Sequence, residues 1–273
     1  MILLINYAND LFHSSQEYNA KTGKNVGLFD NTISYSPKDI EVDFFEKNRN
    51  ILSQKKGNGY WLWKPYFIKK SLELLNYGDF LFYCDSGSYF IRPITPIVDI
   101  SLDTGQDIIP FEIQRLEKDW TKRDAFALMD CDSPEFSESR QRIAGYSLWK
   151  KSRFTMNFIN ELLNYSQDER IITDLENQCG NPNYSEFKAH RHDQSIFSLL
   201  TKKYNLKAYR NPSQWGNNKM YLYSTSKYKQ LIVSTRRKGY FLPSDKTSYK
   251  DIIRSRGHGV ANILFTNFIN FWR

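Results

Sequence analysis

A short apolar run that ends in a carboxylate constrains the fold of this chain more than any other feature. The segment DFLFYCD, residues 79–85, lacks the alternation of polar and apolar residues that a half-exposed strand shows. Such a run is typical of a parallel strand that is covered on both faces. Asp85 then stands where ligands of open α/β sheets bind, and Gly87 allows close approach, which suits a metal or a ribose. The alternative interpretation is a simple turn.

Apolar runs and helical patterns alternate along most of the chain. Further strands are predicted in MILLINYA, DIIPFEI, RIAGYSLWK and LKAYR, which are residues 1–8, 107–113, 142–150 and 206–210. Helical spacing of apolar residues predicts helices in YFIKKSLELLNYG, TKRDAFALM, SRFTMNFINELLNY and HDQSIFSLLTKKYN, which are residues 66–78, 121–129, 152–165 and 192–205. This alternation predicts an α/β three-layer sandwich around a mostly parallel central sheet. We expect one domain over residues 1–273, with a less regular, basic and amphipathic portion from about residue 210.

Charge and cysteine content narrow the class of protein. The chain has 38 basic and 30 acidic residues, and its net charge of +8 favours anionic partners such as nucleotide phosphates, nucleic acid or an anionic membrane face. A merely solubilising charge is the alternative. Three widely spaced cysteines without a CxxC pair argue against a disulfide framework, and no apolar run reaches about 18–20 residues. Because MILLIN is also too short for the core of a signal peptide, we expect a cytoplasmic protein without a membrane span.

Four segments, taken in order, resemble a known family. They are GYWLWKPYFI, GDFLFYCDSG, AGYSLWKKS and HRHDQSIFSLL, at residues 59–68, 78–87, 144–152 and 190–200. Together they resemble GT-A-type glycosyltransferases of bacterial and viral polysaccharide synthesis, over most of residues 1–215. The resemblance implies a GT-A-like fold and a hexosyltransferase that uses a nucleotide-diphosphate sugar, with a UDP-sugar as the expected donor. It also implies a saccharide or lipid-linked saccharide acceptor, in polysaccharide or glycan biosynthesis.

The resemblance implies catalytic roles for two adjacent residues. In the family, an Asp-Gln pair at the start of this helix lies beside the anomeric carbon of the donor sugar. Asp193 and Gln194 match that pair, so Asp193 would be the carboxylate near the reacting sugar and Gln194 would hydrogen-bond the sugar. Asp193 is equally suited to be the N-cap of the helix, and this alternative stays open.

A divalent metal is the cofactor that the family implies. Its Asp-x-Asp motif holds manganese or magnesium against the donor diphosphate. Here Asp85 matches the first Asp but Gly87 replaces the second, so the metal dependence stays open. The implied metal ligands are Asp85, His192 and His258. A DCD segment at residues 130–132 follows a helical pattern and is interpreted as a loop.

The other implied contacts divide between the two substrates. Asn6, Tyr7 and Ala8 end the first strand, where the family holds the nucleobase, and Tyr7 would stack on uracil. The further donor-binding candidates are Trp61, Lys64, Asp85, Ser86, Gly87, Arg123 and Asp124. The acceptor-side candidates are Gly145, Tyr146 and Trp63.

Structural alternatives exist for several of these candidates. The segment GYWLWKP is predicted to be extended up to Pro65 at a helix start, with both indoles on one side. Trp61 and Trp63 form either a stacking wall, with Lys64 reaching a phosphate, or part of the core. Arg123 and Asp124 are alternatively an ordinary pair on a surface helix that Thr121 caps.

The C-terminal segments STRRKGYF and IIRSRGHG are basic, and residues 260–273 show an amphipathic helical pattern. Diphosphate capture, docking on the inner face of an anionic membrane, and a solvated surface are the three interpretations of this charge.

Two other functions compete with sugar transfer. A basic nucleic-acid-binding protein fits the charge, but no helix-turn-helix, zinc ligand set or RNP-like pattern supports it, so nucleic acid is not an expected partner. A catalytically inactive sugar-nucleotide-binding module fits the missing second Asp. GxSxG, HExxH, GxGxxG and Walker A patterns are absent from the sequence.

Overall fold

A computed structural model describes residues 1–223 and 225–235. The described strands are β1 Ile2–Tyr7, β2 Asn31–Tyr35, β3 Phe80–Cys84, β4 Ser88–Phe90, β5 Ile108–Leu116, β6 Arg140–Lys150, β7 Tyr209–Arg210 and β8 Ile232–Ser234. The helices are α1 His13–Thr22, α2 Val42–Lys47, α3 Arg49–Leu52, α4 Gly57–Tyr60, α5 Trp63–Glu73, α6 Thr95–Thr104, α7 Glu117–Trp120, α8 Arg123–Leu128, α9 Pro134–Ser137, α10 Arg153–Ser166, α11 Glu169–Ile172 and α12 Asp193–Lys203. Single turns of 3₁₀ or π helix lie at Asp10–Phe12, Gly23–Gly27, Pro37–Asp39, Gln214–Gly216 and Met220–Leu222.

Six of these strands form the central sheet, in the order β2-β1-β3-β6-β5-β7. β1 pairs in parallel with both β2 and β3, and β5 pairs in parallel with β7. β6 is antiparallel to its neighbours β3 and β5, so five strands share one direction and β6 alone opposes them. The predicted α/β fold with a mostly parallel sheet is confirmed.

Strand β3 lies in the middle of the sheet and is buried on both faces, as its apolar run predicts. Leu81 and Tyr83 belong to the core beneath α5, α10 and α12. Phe82 and Cys84 belong to the opposite core, which contains residues of α6. The sheet therefore separates two apolar layers, and burying both faces of β3 explains why the run shows no polar alternation.

A local signal fixes the start of α10, which packs against α5 and α12. Ser152 caps α10 by accepting a hydrogen bond from the Thr155 amide, and Phe158 and Leu162 of this helix face the core. None of the helices in the described part of the chain has the length and hydrophobicity that a membrane crossing requires.

Two local predictions are wrong, and one alternative that the sequence left open is excluded. The segment before α5 is not extended, because Tyr60 and Trp61 have φ values of 51° and 62° and form a left-handed turn. Lys122, not Thr121, occupies the N-cap of α8. His192, not Asp193, occupies the N-cap of α12, and no side chain caps that helix. The predicted tail helix, the basic residues of both C-terminal segments and His258 lie outside the described residues.

Candidate functional site

A cavity of about 580 Å³ opens at the carboxyl ends of β1 and β3. Tyr7 and Ala8 border it where β1 ends, and Asp85, Ser86 and Gly87 border it where β3 ends. The middle of β6, the turn before α5, the start of α12 and residues 9, 11 and 12 after β1 also contribute to the wall. This is the edge at which open α/β sheets hold ligands.

A buried ammonium group joins two carboxylates in this cavity. Nζ of Lys64 lies 2.5 Å from Oδ2 of Asp193 and 3.5 Å from Oδ1 of Asp85. It also donates a hydrogen bond to the carbonyl oxygen of Ala144 at 3.2 Å. Lys64 is 6% exposed. Lys64 and Asp193, which lie 129 positions apart along the chain, thus meet at this edge of the sheet.

Asp85 presents its carboxylate to the cavity, since its side chain is 48% exposed. The Tyr83 hydroxyl donates to Oδ1 at 2.5 Å, and the Asp85 amide donates to the carbonyl oxygen of Gly145 at 2.7 Å. A Cβ atom on Gly145 would stand 3.0 Å from Oδ2 of Asp85, closer than most real contacts of this kind. Gly145 therefore leaves room for the carboxylate as Asp85 holds it.

Asp193 does not act as the cap that the sequence left open. It is the first residue of α12, and its carboxylate binds Lys64. Burial raises the pKa of Asp193, against the opposing charge of Lys64. Burial also desolvates Lys64, but the charges of Asp193 and Asp85 outweigh this and raise its pKa. Lys64 is therefore a cation that holds the two carboxylates together.

Gln194 is oriented by a chain of buried side chains. Its amide nitrogen donates to Oε1 of Gln141 at 2.7 Å, and the Gln141 amide nitrogen donates to Oε2 of Glu117 at 3.1 Å. Oε1 of Glu117 accepts from Nζ of Lys202 at 2.7 Å. Because an ionised carboxylate only accepts hydrogen bonds, Glu117 fixes the amide orientation of Gln141 and, through it, that of Gln194.

The two histidines beside Asp193 are neutral and bound to α11. Nδ1 of His192 is 2.8 Å from the carbonyl oxygen of Ile172, and Nε2 of His190 is 2.8 Å from that of Ile171. Nδ1 of His190 accepts from the Lys122 amide at 3.2 Å. Burial lowers the pKa of His192 to about 4 and that of His190 well below its usual value.

The described residues do not fit a divalent cation. Among residues 1–223 and 225–235, His, Cys, Asp and Glu side chains form no group of three that could hold a metal. The charged neighbour of Asp85 is Lys64, and Gly87 supplies no second carboxylate. His192 commits Nδ1 to Ile172, and its Nε2 lies 3.8 Å from Asp174.

Aromatic rings form the wall near the end of β1. Trp63 stacks on Tyr7 with ring centroids 3.8 Å apart, and its indole nitrogen donates to the carbonyl oxygen of Gly57 at 3.0 Å. Trp61 stacks on His192 at 5.3 Å. The Tyr7 hydroxyl accepts from the side-chain Nδ2 of Asn58, and burial raises the pKa of Tyr7 to about 12. Trp63 covers one face of the Tyr7 ring.

Most of the predicted site residues line this cavity. Those that do so are Tyr7, Ala8, Trp61, Trp63, Lys64, Asp85, Ser86, Gly87, Gly145, Tyr146, His192, Asp193 and Gln194.

Three predicted residues do not line the cavity. Asn6 is buried and donates to Oδ1 of Asn19 at 2.8 Å. Arg123 forms an ion pair with Asp132 at 2.9 Å, beside the short loop that DCD was predicted to form. The Asp124 carboxylate is buried and accepts hydrogen bonds from the backbone amides of residues 178 and 179. It therefore holds the loop at residues 178–179.

Sequence reasoning missed several residues of the site. Tyr83 could have been found, because it lies two positions before Asp85 and therefore on the same face of β3. Lys55, Asn58 and Arg191 also line the cavity. Glu117 and Gln141 carry no local pattern that ties them to Gln194.

No family model matches the chain, and no curated protein matches it. Solved structures that are similar include mouse xyloside xylosyltransferase 1 in its apo form, at 9% identity and a TM-score of 0.49, covering 89% of this chain and 100% of that one. The galactosyltransferase LgtC, in complex with donor and acceptor sugar analogues, is 12% identical at a TM-score of 0.46, covering 93% and 94%. A glycosyltransferase involved in glycosylation of the major capsid of PBCV-1 is 11% identical at a TM-score of 0.38, covering 69% and 80%. All three are named as glycosyltransferases.

Proposed function

We propose that this protein is a glycosyltransferase that moves a hexose from a nucleotide-diphosphate sugar, expected to be a UDP-sugar, to a saccharide acceptor. The observation that carries the proposal is the convergence of Lys64, Asp85 and Asp193 in one cavity at the carboxyl edge of the sheet. Polysaccharide or glycan assembly is the proposed setting.

The size and charge of the cavity suit such a donor. A volume of about 580 Å³ lies within the usual range for small-molecule sites. Lys55 and Arg191 line it together with Lys64, so three cations face two carboxylates. These cations would counter the charge of a diphosphate. The aromatic residues Tyr7, Trp61 and Trp63 would hold the base and sugar.

Sugar transfer requires that the positive charge on the sugar be stabilised and that the acceptor hydroxyl lose its proton. The bond between the anomeric carbon and the diphosphate oxygen breaks, and its electron pair leaves with the diphosphate. The acceptor oxygen forms the new bond to the anomeric carbon and loses its proton. Asp193 is proposed to stabilise the positive charge that develops on the sugar and to take that proton, because burial raises its pKa. Asp85, more exposed, would bind donor hydroxyl groups.

Side-chain cations are proposed to assist the departing diphosphate in place of a metal. Lys64 lies 3.5 Å from Asp85, and Gly87 supplies no second carboxylate for a metal. We therefore expect nucleotide binding to persist when divalent cations are chelated.

Thermal unfolding with nucleotides tests the donor class. The protein is heated with UDP, GDP, ADP and their hexose conjugates, with manganese or with a chelator. A nucleotide at about 100 times its Kd adds about 2.7 kcal/mol of stability, which raises Tm by about 5–10 °C in a chain of this size. We expect this for UDP in both conditions. No shift with any nucleotide would contradict the proposal, and a shift only with manganese would contradict the metal-independent part.

Release of the nucleoside diphosphate from a UDP-hexose, in the presence of a saccharide, separates an enzyme from an inactive binding module. The proposal predicts release that requires Asp193. Nucleotide binding without release from any donor would favour the inactive module.

A further inference from the structure

A second cavity, of about 220 Å³, adjoins the first. Ile143, Arg191 and Gln194 line both cavities. The two spaces therefore meet along the β6 side of α12, next to Asp193. Gln194, the neighbour of Asp193, thus borders both cavities.

An exposed indole stands at this second cavity on a tightly built turn. Trp215 is 58% exposed, yet the turn that carries it is fixed. The Ser213 hydroxyl accepts from the Trp215 amide, and a Cβ atom on Gly216 would stand 1.9 Å from the carbonyl oxygen of Asn211. The buried guanidinium of Arg210 donates to the carbonyl oxygen of Gly216 at 3.1 Å. A rigid, exposed indole beside polar groups suits the face of a sugar ring.

The other side chains of this cavity give it a positive charge. Arg115 and Arg191 both stack on the Trp120 ring, with 4.5 Å and 4.1 Å from guanidinium carbon to ring centroid. Lys219 lines the same cavity. The acidic side chain of the lining, Glu112, accepts from the Tyr223 hydroxyl at 2.5 Å and pairs with Arg140. Stacking on one indole holds both guanidinium groups in place before any ligand binds.

We propose that the second cavity is the acceptor subsite and that it takes an acidic saccharide, one bearing a carboxylate or a phosphate. This inference rests on the proposed function. Trp215 stacks on the sugar ring, and Arg115, Arg191 and Lys219 bind the anionic group. The acceptor hydroxyl then lies at the junction formed by Ile143 and Gln194, facing the donor. In the transfer step its oxygen replaces the diphosphate on the anomeric carbon, and its proton passes to Asp193.

Calorimetric titration of the full chain, saturated with UDP, tests this subsite. The probes are a disaccharide that ends in glucuronate, its neutral glucose counterpart, and the glucose form phosphorylated at the terminal sugar. We expect an acidic probe to bind at least about tenfold more tightly than the neutral one. Whether the glucuronate or the phosphorylated probe binds more tightly identifies the anionic group.

Variants assign that binding to the second cavity. Arg115→Gln should reduce the preference for acidic probes about tenfold. Trp215→Ala should lower the affinity for all three saccharides about tenfold. Tyr221→Ala is the control, because Tyr221 is 76% exposed and does not line the cavity. The Tm of each free variant shows that it is folded, and Lys219→Gln supplies a second test of charge if Arg115→Gln unfolds.

The outcomes separate the two proposals. Equal binding of acidic and neutral probes, or wild-type binding by Arg115→Gln and Trp215→Ala, would overturn the acidic subsite even if UDP binds normally. Failure of UDP to raise Tm in the thermal unfolding experiment would instead overturn the proposed function itself.

Discussion

Lys64 illustrates how much the site depends on single residues. A fully buried ammonium group is costly unless opposite charges surround it. Here Asp193 and Asp85 supply those charges, and the rings of Tyr83 and Trp63 lie 5.1 Å and 5.8 Å from Nζ. The contacts that offset the cost of burying the Lys64 ammonium group also fix the position of both carboxylates.

Replacing Lys64 by methionine should destabilise the fold more than the loss of an ordinary ion pair does. Asp193 would remain buried without its counter-charge, which costs about 3–5 kcal/mol. Denaturant unfolding measures this change. Lys56→Met is the matched control, since Lys56 pairs with Asp174 at the surface and its loss should cost at most about 1 kcal/mol. Similar losses in the two variants would contradict the buried arrangement.

Adding a methyl group at position 145 should impair turnover more than stability. The new Cβ of Gly145→Ala would stand 3.0 Å from Oδ2 of Asp85 and displace that carboxylate. A misplacement of this kind lowers the rate of transfer by about tenfold to a hundredfold. Steady-state kinetics checks it, with the double variant Gly145→Ala/Asp85→Asn as control. If the losses of turnover caused by Gly145→Ala and by Asp85→Asn add fully in the double variant, Gly145 does not act through Asp85.

Among the secondary-structure elements, the sequence best predicted those whose residue pattern is determined by burial alone. β3 is covered on both faces, so its unbroken apolar run identified the strand and the carboxylate that ends it. The turn before α5 could not be predicted, because Trp61 adopts a left-handed conformation that packing against His192 supports. Asp124 resembled a donor contact from its position, yet it holds the loop at residues 178–179. Such roles depend on partners that lie more than fifty residues away.

The buried chain from Glu117 to Gln194 gives a prediction about α12. Gln141→Leu removes the bond that orients Gln194, so we expect turnover to fall about tenfold, in the range of a lost hydrogen bond in the transition state. Gln106→Leu is the control, because Gln106 bonds the carbonyl oxygens of Ile108 and Lys207 away from the cavity. It should lower stability comparably and leave turnover unchanged. Equal turnover in the two variants would remove this role from Gln141.

In the molecule as a whole, the two neutral histidines connect the segment that carries Asp193 to α11. His190 and His192 bind the last carbonyl oxygens of α11 and so hold the loop that starts α12. His190 uses one ring nitrogen as donor and the other as acceptor, which requires the neutral form. The position of Asp193 therefore depends on contacts between elements that no single segment encodes.

This arrangement predicts a loss of stability in acid. The folded pKa of His192 is about 4, below the unfolded value near 6.5, so the unfolded chain binds more protons between these values. The free energy of unfolding should fall as the pH drops from about 6.5 to 4, by about 3 kcal/mol from His192. Denaturant unfolding across this range tests it. His192→Asn should flatten the dependence, whereas His13→Asn, at an exposed position, should not. An unchanged slope in His192→Asn would contradict the buried neutral state.

The turnover of Asp193→Asn with a UDP-hexose and a saccharide acceptor tests directly whether Lys64, Asp85 and Asp193 form the site of transfer. The asparagine keeps the size of the side chain and can still accept a hydrogen bond from Lys64, but it cannot take a proton. We predict that turnover falls by about 10²–10⁴ while UDP still raises Tm. Asp79→Asn is the matched control and should turn over as the wild type, because Asp79 pairs with the N-terminal amino group just before β3 and does not line the cavity. Wild-type turnover by Asp193→Asn would contradict the claim that Lys64, Asp85 and Asp193 form the site of transfer.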